Sequence, residues 1–167
     1  GIDKEKAYKD ILKLAESKKP KISFEGLNGN EINFYNEFAI NDVSSAELLV
    51  EKIKQKNDSL VLILNTRKDR PLRSKQFADW IAASNHFSKI ILVGNHKLFT
   101  KQYLRRKNIE TKKILMPVNS EINEIKKYLS DFTVKRTAII CLGNIAGDGF
   151  KIANQIIAEQ KMETVKL

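Results

Sequence analysis

Leu60-Val-Leu-Ile-Leu-Asn-Thr-Arg-Lys-Asp-Arg-Pro-Leu-Arg73 is the stretch on which the reading of the fold turns. Leu60 to Leu64 are apolar without a break, as in a strand covered on both faces, and such strands belong mostly to parallel sheets. The run stops abruptly at Asn65-Thr-Arg-Lys-Asp-Arg70. Pro71 then opens a helix, in the first turn where its missing N–H is harmless. A cluster of guanidinium and ammonium groups is thereby predicted at the carboxyl end of a buried strand, beside a helix start. In open α/β sheets that edge is where ligands bind.

The same alternation extends in both directions. On the amino-terminal side, residues 3–16 carry Ala7, Ile11, Leu14 and Ala15 at helical spacing. Ser17 to Lys21 reads as a charged, proline-broken linker. Strands are predicted at Ile22–Phe24 and Ile32–Phe38. A helix follows over Ser44–Lys56, with Ser44 and Glu47 at capping-box spacing. On the carboxyl-terminal side, a helix over Pro71–His86 leads to a strand at Ile90–Val93, a helix over His96–Lys107 and a short strand at Ile114–Met116. A helix over Glu121–Phe132, a strand at Thr137–Leu142 and a last helix after Gly143–Gly149 complete the chain. Phe150, Ala153, Ile156 and Ile157 are its expected inward residues, and Met162–Leu167 an edge strand or tail. Strands alternating with amphipathic helices give right-handed βαβ units. The fold class is therefore α/β, a Rossmann-like open, mostly parallel sheet flanked by helices.

Composition narrows the function. The chain has 167 residues, enough for one domain with its own core. No apolar run approaches the ~20 residues that a membrane helix needs. A start at Gly-Ile-Asp predicts a piece of a longer protein. The single cysteine, Cys141, excludes an internal disulfide and reads as a small buried residue mid-strand. His86 and His96 lack partners at metal-ligand spacing, so no side-chain metal site is predicted. The net charge of +10 invites a polyanion partner. The lysines, though, are scattered along the chain, which favours solvated helix faces. Four polar or glycine-bearing turns share the ligand edge: Phe38–Ser44, Asn65–Arg73, Gly94–His96 and Gly143–Gly149. Arg67, Arg70 and Arg73 are compact enough to hold phosphate or carboxylate, with Asp69 able to brace them. There is no GxxxxGK(S/T) loop and no nucleophile with a base partner, so spacing alone gives a ligand-binding half without a catalytic engine.

Three stretches in order, EFAINDVSS (Glu37–Ser45), LNTRKDRPLRSKQFADWI (Leu64–Ile81) and CLGNIAGDG (Cys141–Gly149), resemble the ligase subunit of capsular poly-gamma-glutamate synthases, a family similar to the Mur ligases. The opening GIDKEKAYKDIL resembles the helix that ends the central domain of such ligases. The resemblance implies that residues 1–17 are the terminal helix of a missing ATP-binding central domain, and that 18–167 are the carboxyl-terminal Rossmann-like domain. It implies ATP and Mg²⁺ as cofactors, bound mainly by that missing domain. The implied reaction activates a carboxylate as an acyl phosphate, which the amine of glutamate attacks. The implied partners are glutamate and the growing poly-gamma-glutamate chain, the missing domains, and membrane proteins of a capsule machinery at the cytoplasmic side of a bacterial membrane. The isolated piece is expected to be soluble and inactive, and no nucleic acid is expected.

Residue by residue, Phe38-Ala39-Ile40-Asn41 stands where Mur ligases carry Tyr-Ala-His-Asn, which makes Asn41 and Ser44 nucleotide-side candidates. Ile40 replaces the usual His, Asp42 the usual Pro, and Glu37 an Asp that reaches the ribose. Arg67, Asp69 and Arg70 match an Arg-Asp element, with Asn65 and Thr66 in place of its glycines. With Arg73 they complete the nucleotide and phosphate set. Gly143 and Asn144 match the turn facing the incoming amino acid, and Asp148 is added to that set. The rival reading is a non-catalytic basic α/β module for nucleic acid or another polyanion, which needs a continuous stripe including Arg105 and Arg106.

Overall fold

The computed structural model describes residues 22–25, 30–128 and 136–164. The expected central-domain helix and the 17–21 linker lie outside them. In chain order the elements are β1 (Ile22–Glu25), β2 (Glu31–Asn36), α1 (Val43–Lys54), β3 (Ser59–Thr66), α2 (Pro71–Ser84), β4 (Lys89–Gly94), α3 (Lys97–Arg106), a 3₁₀ turn (Thr111–Lys113), β5 (Ile114–Leu115), α4 (Ile122–Lys127), β6 (Arg136–Leu142) and α5 (Asp148–Thr164).

The six strands form one sheet in the order β1-β2-β6-β3-β4-β5. β2, β6, β3, β4 and β5 run parallel, and β1 pairs antiparallel with β2 at the edge. The apolar run of β3 explains its central place. Leu60, Leu62 and Leu64 pack into the layer of α1, α2 and α3, through Leu49, Phe77, Ile81 and Leu104. Val61 and Ile63 pack on the other face, against Ile122, Ile125, Ile152 and Ile156 of α4 and α5. Every residue from Leu60 to Thr66 is buried, so both faces of this strand are core. Cys141 is fully buried in β6, and burial pushes its thiol far above the ordinary range.

Several boundaries differ from the sequence reading. β2 ends at Asn36 because the chain turns there, the Glu37 N–H donating to the carbonyls of Tyr35 and Cys141. Phe38 lies beyond the strand yet is fully buried. α1 is capped by Asp42, not by the Ser44–Glu47 box. Asp42 is extended (φ −127°, ψ 151°) and its carboxylate accepts from the Ser45 N–H at 2.9 Å. Ser44 is then already helical and exposed. α2 opens at Pro71, as expected. In α5 the inward residues are Ile152, Ala153 and Ile156, while Phe150 and Ile157 are 59% and 43% exposed. Residues 162–164 continue α5 instead of forming an edge strand. Of the helix predicted over 121–132, Ile122–Lys127 is helical, and Leu129 and Phe132 lie outside the described residues.

A candidate anion-binding edge between β3 and β6

The helices that follow β2, β3 and β4 pack on one face of the sheet, and the helix that follows β6 packs on the other. Because β6 lies between β2 and β3, the connections leaving β3 and β6 part at their carboxyl ends. That divergence opens the crevice in which doubly wound sheets bind ligands. A cavity of about 520 Å³ lies there, lined by residues 65–69 after β3, 94 and 95 after β4, and 146–148 before α5.

Its walls are tied together by hydrogen bonds between the turns. Asn65 is buried at the end of β3, and its side-chain amide donates to the carbonyls of Asn144 (2.7 Å) and Ala146 (2.8 Å). The Asn144 side chain turns back to accept from the Ala146 N–H at 2.8 Å. The Gly143 N–H donates to the Ile40 carbonyl at 3.0 Å, which ties the β2–α1 turn to the β6–α5 turn. Asp148, the first residue of α5, accepts from the Gly94 N–H at 2.8 Å. The Lys68 N–H donates to the Asn95 side chain at 2.8 Å, and Thr66 donates to the Val93 carbonyl at 3.0 Å. Glycine is needed where the chains come closest. Gly143 has φ +106°, and a Cβ there would stand 2.5 Å from the Asn65 carbonyl oxygen.

The cationic residues divide by partner. Arg67 holds Asp69 in a fork, Nε to Oδ1 at 2.9 Å and Nη2 to Oδ2 at 2.6 Å. That hydrogen bonding lowers the Asp69 pKa and raises that of Arg67. Arg67 Nη1 also reaches the Asn144 side-chain oxygen at 3.5 Å. Arg70 and Arg73 line a narrower recess with Ser74, Phe77 and Asn144. Arg73 Nη1 is buried there without a hydrogen-bond partner. A buried, unpartnered guanidinium nitrogen is costly unless an anion or water meets it.

The structure therefore brings Arg67, Asp69 and Asp148 to the cavity and Arg70, Arg73, Gly143 and Asn144 to the recess beside it, with Arg67 lining both. Asn41, half-buried, and Ser44, exposed, occupy the same sheet edge on the β2–α1 turn but line neither hollow. Three contributors escape sequence reasoning. It places Asn65, Lys68 and Asn95 within turns of the ligand edge, and Lys68 in the predicted cationic cluster, but names none of them as a site residue. A polar residue at the inward end of a buried strand is the signal that could have found Asn65. Among the described residues no group of His, Cys, Asp or Glu is arranged to hold a metal, and no helix is long and apolar enough to cross a membrane.

The positive charge is also less scattered than the lysines suggest. Between Arg67 and Lys107 stand eleven Lys and Arg residues and two acids, Asp69 and Asp79. Eleven less two is +9, against +10 for the whole chain. The excess belongs to the β3–α2–β4–α3 unit, because five of the six arginines and only two of the twenty acids lie there, while the lysines are evenly spread.

Residues 22–159 match the family model described as the poly-gamma-glutamate synthase CapB C-terminal domain. The PGA synthase CapB of Bacillus subtilis (strain 168) is 32% identical over 98 residues, covering 56% of this chain and 25% of that relative. The match thus spans a quarter of the relative's length. A family match that takes in all six strands and the crevice between β3 and β6 is decisive: the chain belongs to the poly-gamma-glutamate synthase CapB C-terminal domain family.

Proposed function

We propose that this chain is the carboxyl-terminal domain of an ATP-dependent amide ligase that joins glutamate units into poly-gamma-glutamate. The observation that carries the reading is the cavity of about 520 Å³ at the carboxyl edge of the sheet, lined by Arg67 and Lys68, with Arg70 and Arg73 around the small recess beside it. That donor set suits phosphate and carboxylate, the two anions such a ligation brings together. The residues present fit the phosphate part of a nucleotide: among the described residues neither Lys68 nor Arg70 is within salt-bridge distance of a carboxylate. Arg67 and Lys68 would hold its phosphate groups at the wider cavity, with Asp69 keeping the Arg67 guanidinium oriented. Arg70 and Arg73 stand beside that cavity around a recess of about 10 Å³, room for about one water, and would add their positive field to it. When bound, the nucleotide supplies a phosphoryl group that activates a carboxylate for attack by an amine. Fixed cations stabilise the charge that develops in such a transfer, and they do so without reorganising at the moment of reaction. Mg²⁺ has no carboxylate cluster to hold it among the described residues, and we assign it mainly to a preceding domain. That domain and membrane proteins of a capsule machinery, at the cytoplasmic face of a bacterial membrane, are the proposed assembly partners.

An amide NMR titration of this chain with Mg-ATP tests the reading. Shifts are expected at residues 65–73, 94–95 and 143–149, with affinity in the millimolar range. Shifts confined to other surfaces, or none at all, overturn it. No ADP release above blank is expected with Mg-ATP and glutamate, since the sequence carries no P-loop. Sustained ADP production by the pure chain contradicts the division of labour between domains.

A further inference from the structure

The crevice accounts for only part of the positive charge. Its remainder lies along α2 and α3, and the two acids of that unit are already engaged. Asp69 is forked by Arg67, and Asp79 receives Lys107 at 2.8 Å and the Tyr103 hydroxyl at 3.1 Å. Among the described residues, Lys75, Lys101, Arg105 and Arg106 form no ion pair. Lys75, Arg105 and Arg106 are exposed.

A ladder of rings runs along the same surface. His96 stacks on Phe99 with centroids 4.5 Å apart and planes at 14°, and Phe99 continues to Tyr103 at 6.3 Å and 18°. Lys75 and Lys107 place their ammonium groups 5.9 and 5.5 Å from the Tyr103 ring. Phe99 is 43% exposed, where a residue serving only the core would be covered. The ladder begins next to the crevice, since His96 follows the cavity-lining Asn95 and its Nδ1 lies 3.3 Å from the Ser74 hydroxyl.

We infer that the α2–α3 face is a track for the polyglutamate chain leaving or entering the crevice. This rests on the function proposed above. A γ-linked glutamate polymer carries one carboxylate per residue and two methylenes in each repeat of its backbone. Unpaired cations match the first feature, and the exposed part of Phe99 with the lysine stems beside Tyr103 the second. The track also explains why acids are almost absent between Arg67 and Lys107: a carboxylate there would repel the polymer.

The test is titration of the chain with γ-linked polyglutamate of about twenty residues in physiological salt, followed by amide NMR. Shifts are expected on α2 and α3, at Lys75 and along residues 96–107. The variant K75E/R105E/R106E should bind roughly tenfold or more weakly, with a shallower dependence on salt, because fewer counterions are then released on binding. The neutral variant K75Q/R105Q/R106Q should fall between, and unchanged amide spectra elsewhere show that both fold. Equal binding by parent and charge-reversed protein overturns the track. So does tighter binding of single-stranded DNA of matched charge, which would make the face a nucleic-acid surface. Mg-ATP shifts in the crevice should persist in both variants. Their absence from the parent would sink the ligase reading while leaving the polymer measurement to stand or fall by itself.

Discussion

The side-chain amide of Asn65 joins the carboxyl end of β3 to the β6–α5 turn, donating to the Asn144 carbonyl over 2.7 Å and to the Ala146 carbonyl over 2.8 Å. One buried side chain thus fixes the two walls of the crevice relative to each other. Replacement by alanine leaves two part-buried carbonyls without their donor, at a cost of about 1–3 kcal/mol. Asn65→Asp should be worse, since a carboxylate would face two carbonyl oxygens. Urea unfolding measures both. An Asn65→Ala protein as stable as the parent would show that the turn holds itself.

The glycines of this edge should separate by what surrounds them. Gly94 has φ +86°, and a Cβ there would lie 2.1 Å from the Thr66 carbonyl oxygen. Gly147 has φ +65° with nothing within 4 Å. Gly147→Ala should therefore lose only the left-handed backbone term, about 1–2 kcal/mol. Gly94→Ala adds a clash with main chain that cannot move aside, and should lose roughly 3 kcal/mol or more. Paired denaturation curves decide it, and equal losses would mean that the β3 and β4 ends can part cheaply.

Most of the fold is legible in the sequence because β3 and β6 carry unbroken apolar runs, Leu60–Leu64 and Ala138–Leu142, and the helices between strands have one greasy face each. The rotation of α5 is not. Its sequence offers Phe150, Ala153 and Ile157 at helical spacing as readily as Ile152, Ala153 and Ile156. The choice is made by the turn before it, where Gly149 is packed so closely that a Cβ would stand 2.2 Å from the Asn144 carbonyl oxygen and 2.7 Å from the Asn65 amide. Packing between residues some eighty positions apart leaves no periodic trace. The arginine cluster is visible as a cluster, but which member is braced and which has an idle nitrogen depends on the turn after Thr66. The concentration of charge in one unit is present in the sequence, but weighing the lysines without the arginines and the acids hides it.

Acid should loosen the Arg67–Asp69 fork later than an ordinary carboxylate would suggest. Asp69 has its pKa lowered by the Arg67 hydrogen bonds, so its contribution is complete above the unfolded value of about 3.9. It fades only as pH falls through the lower folded value, while Arg67 stays charged throughout. Carboxyl carbon NMR should place the Asp69 midpoint below the usual aspartate range, and Arg67→Gln should return it upward. The fork is exposed, so global stability should move little. A normal Asp69 midpoint in the parent would show that the fork does not persist in solution, and Arg67 would then lose its brace.

Asp148 offers the clearest separation of strut from ligand-binding group. Its Oδ2 accepts from the Gly94 N–H at 2.8 Å, which joins α5 to the end of β4 across the cavity floor. Alanine removes that acceptor and should destabilise the protein by about 1–2 kcal/mol. Asparagine keeps an oxygen in place and removes a negative charge from a cavity that also holds Arg67 and Lys68. Asp148→Asn should therefore keep nearly all the stability, and bind Mg-ATP a few-fold more tightly, because like-charge repulsion is relieved at partly screened range. The amino-acid role that the sequence analysis expects of Asp148 makes the opposite demand, since an ammonium group needs the carboxylate. A chain in which Asp148→Asn loses glutamate-dependent shifts while Mg-ATP shifts strengthen would assign both roles to the one side chain, a strut through Oδ2 and a counter-charge for the incoming amine.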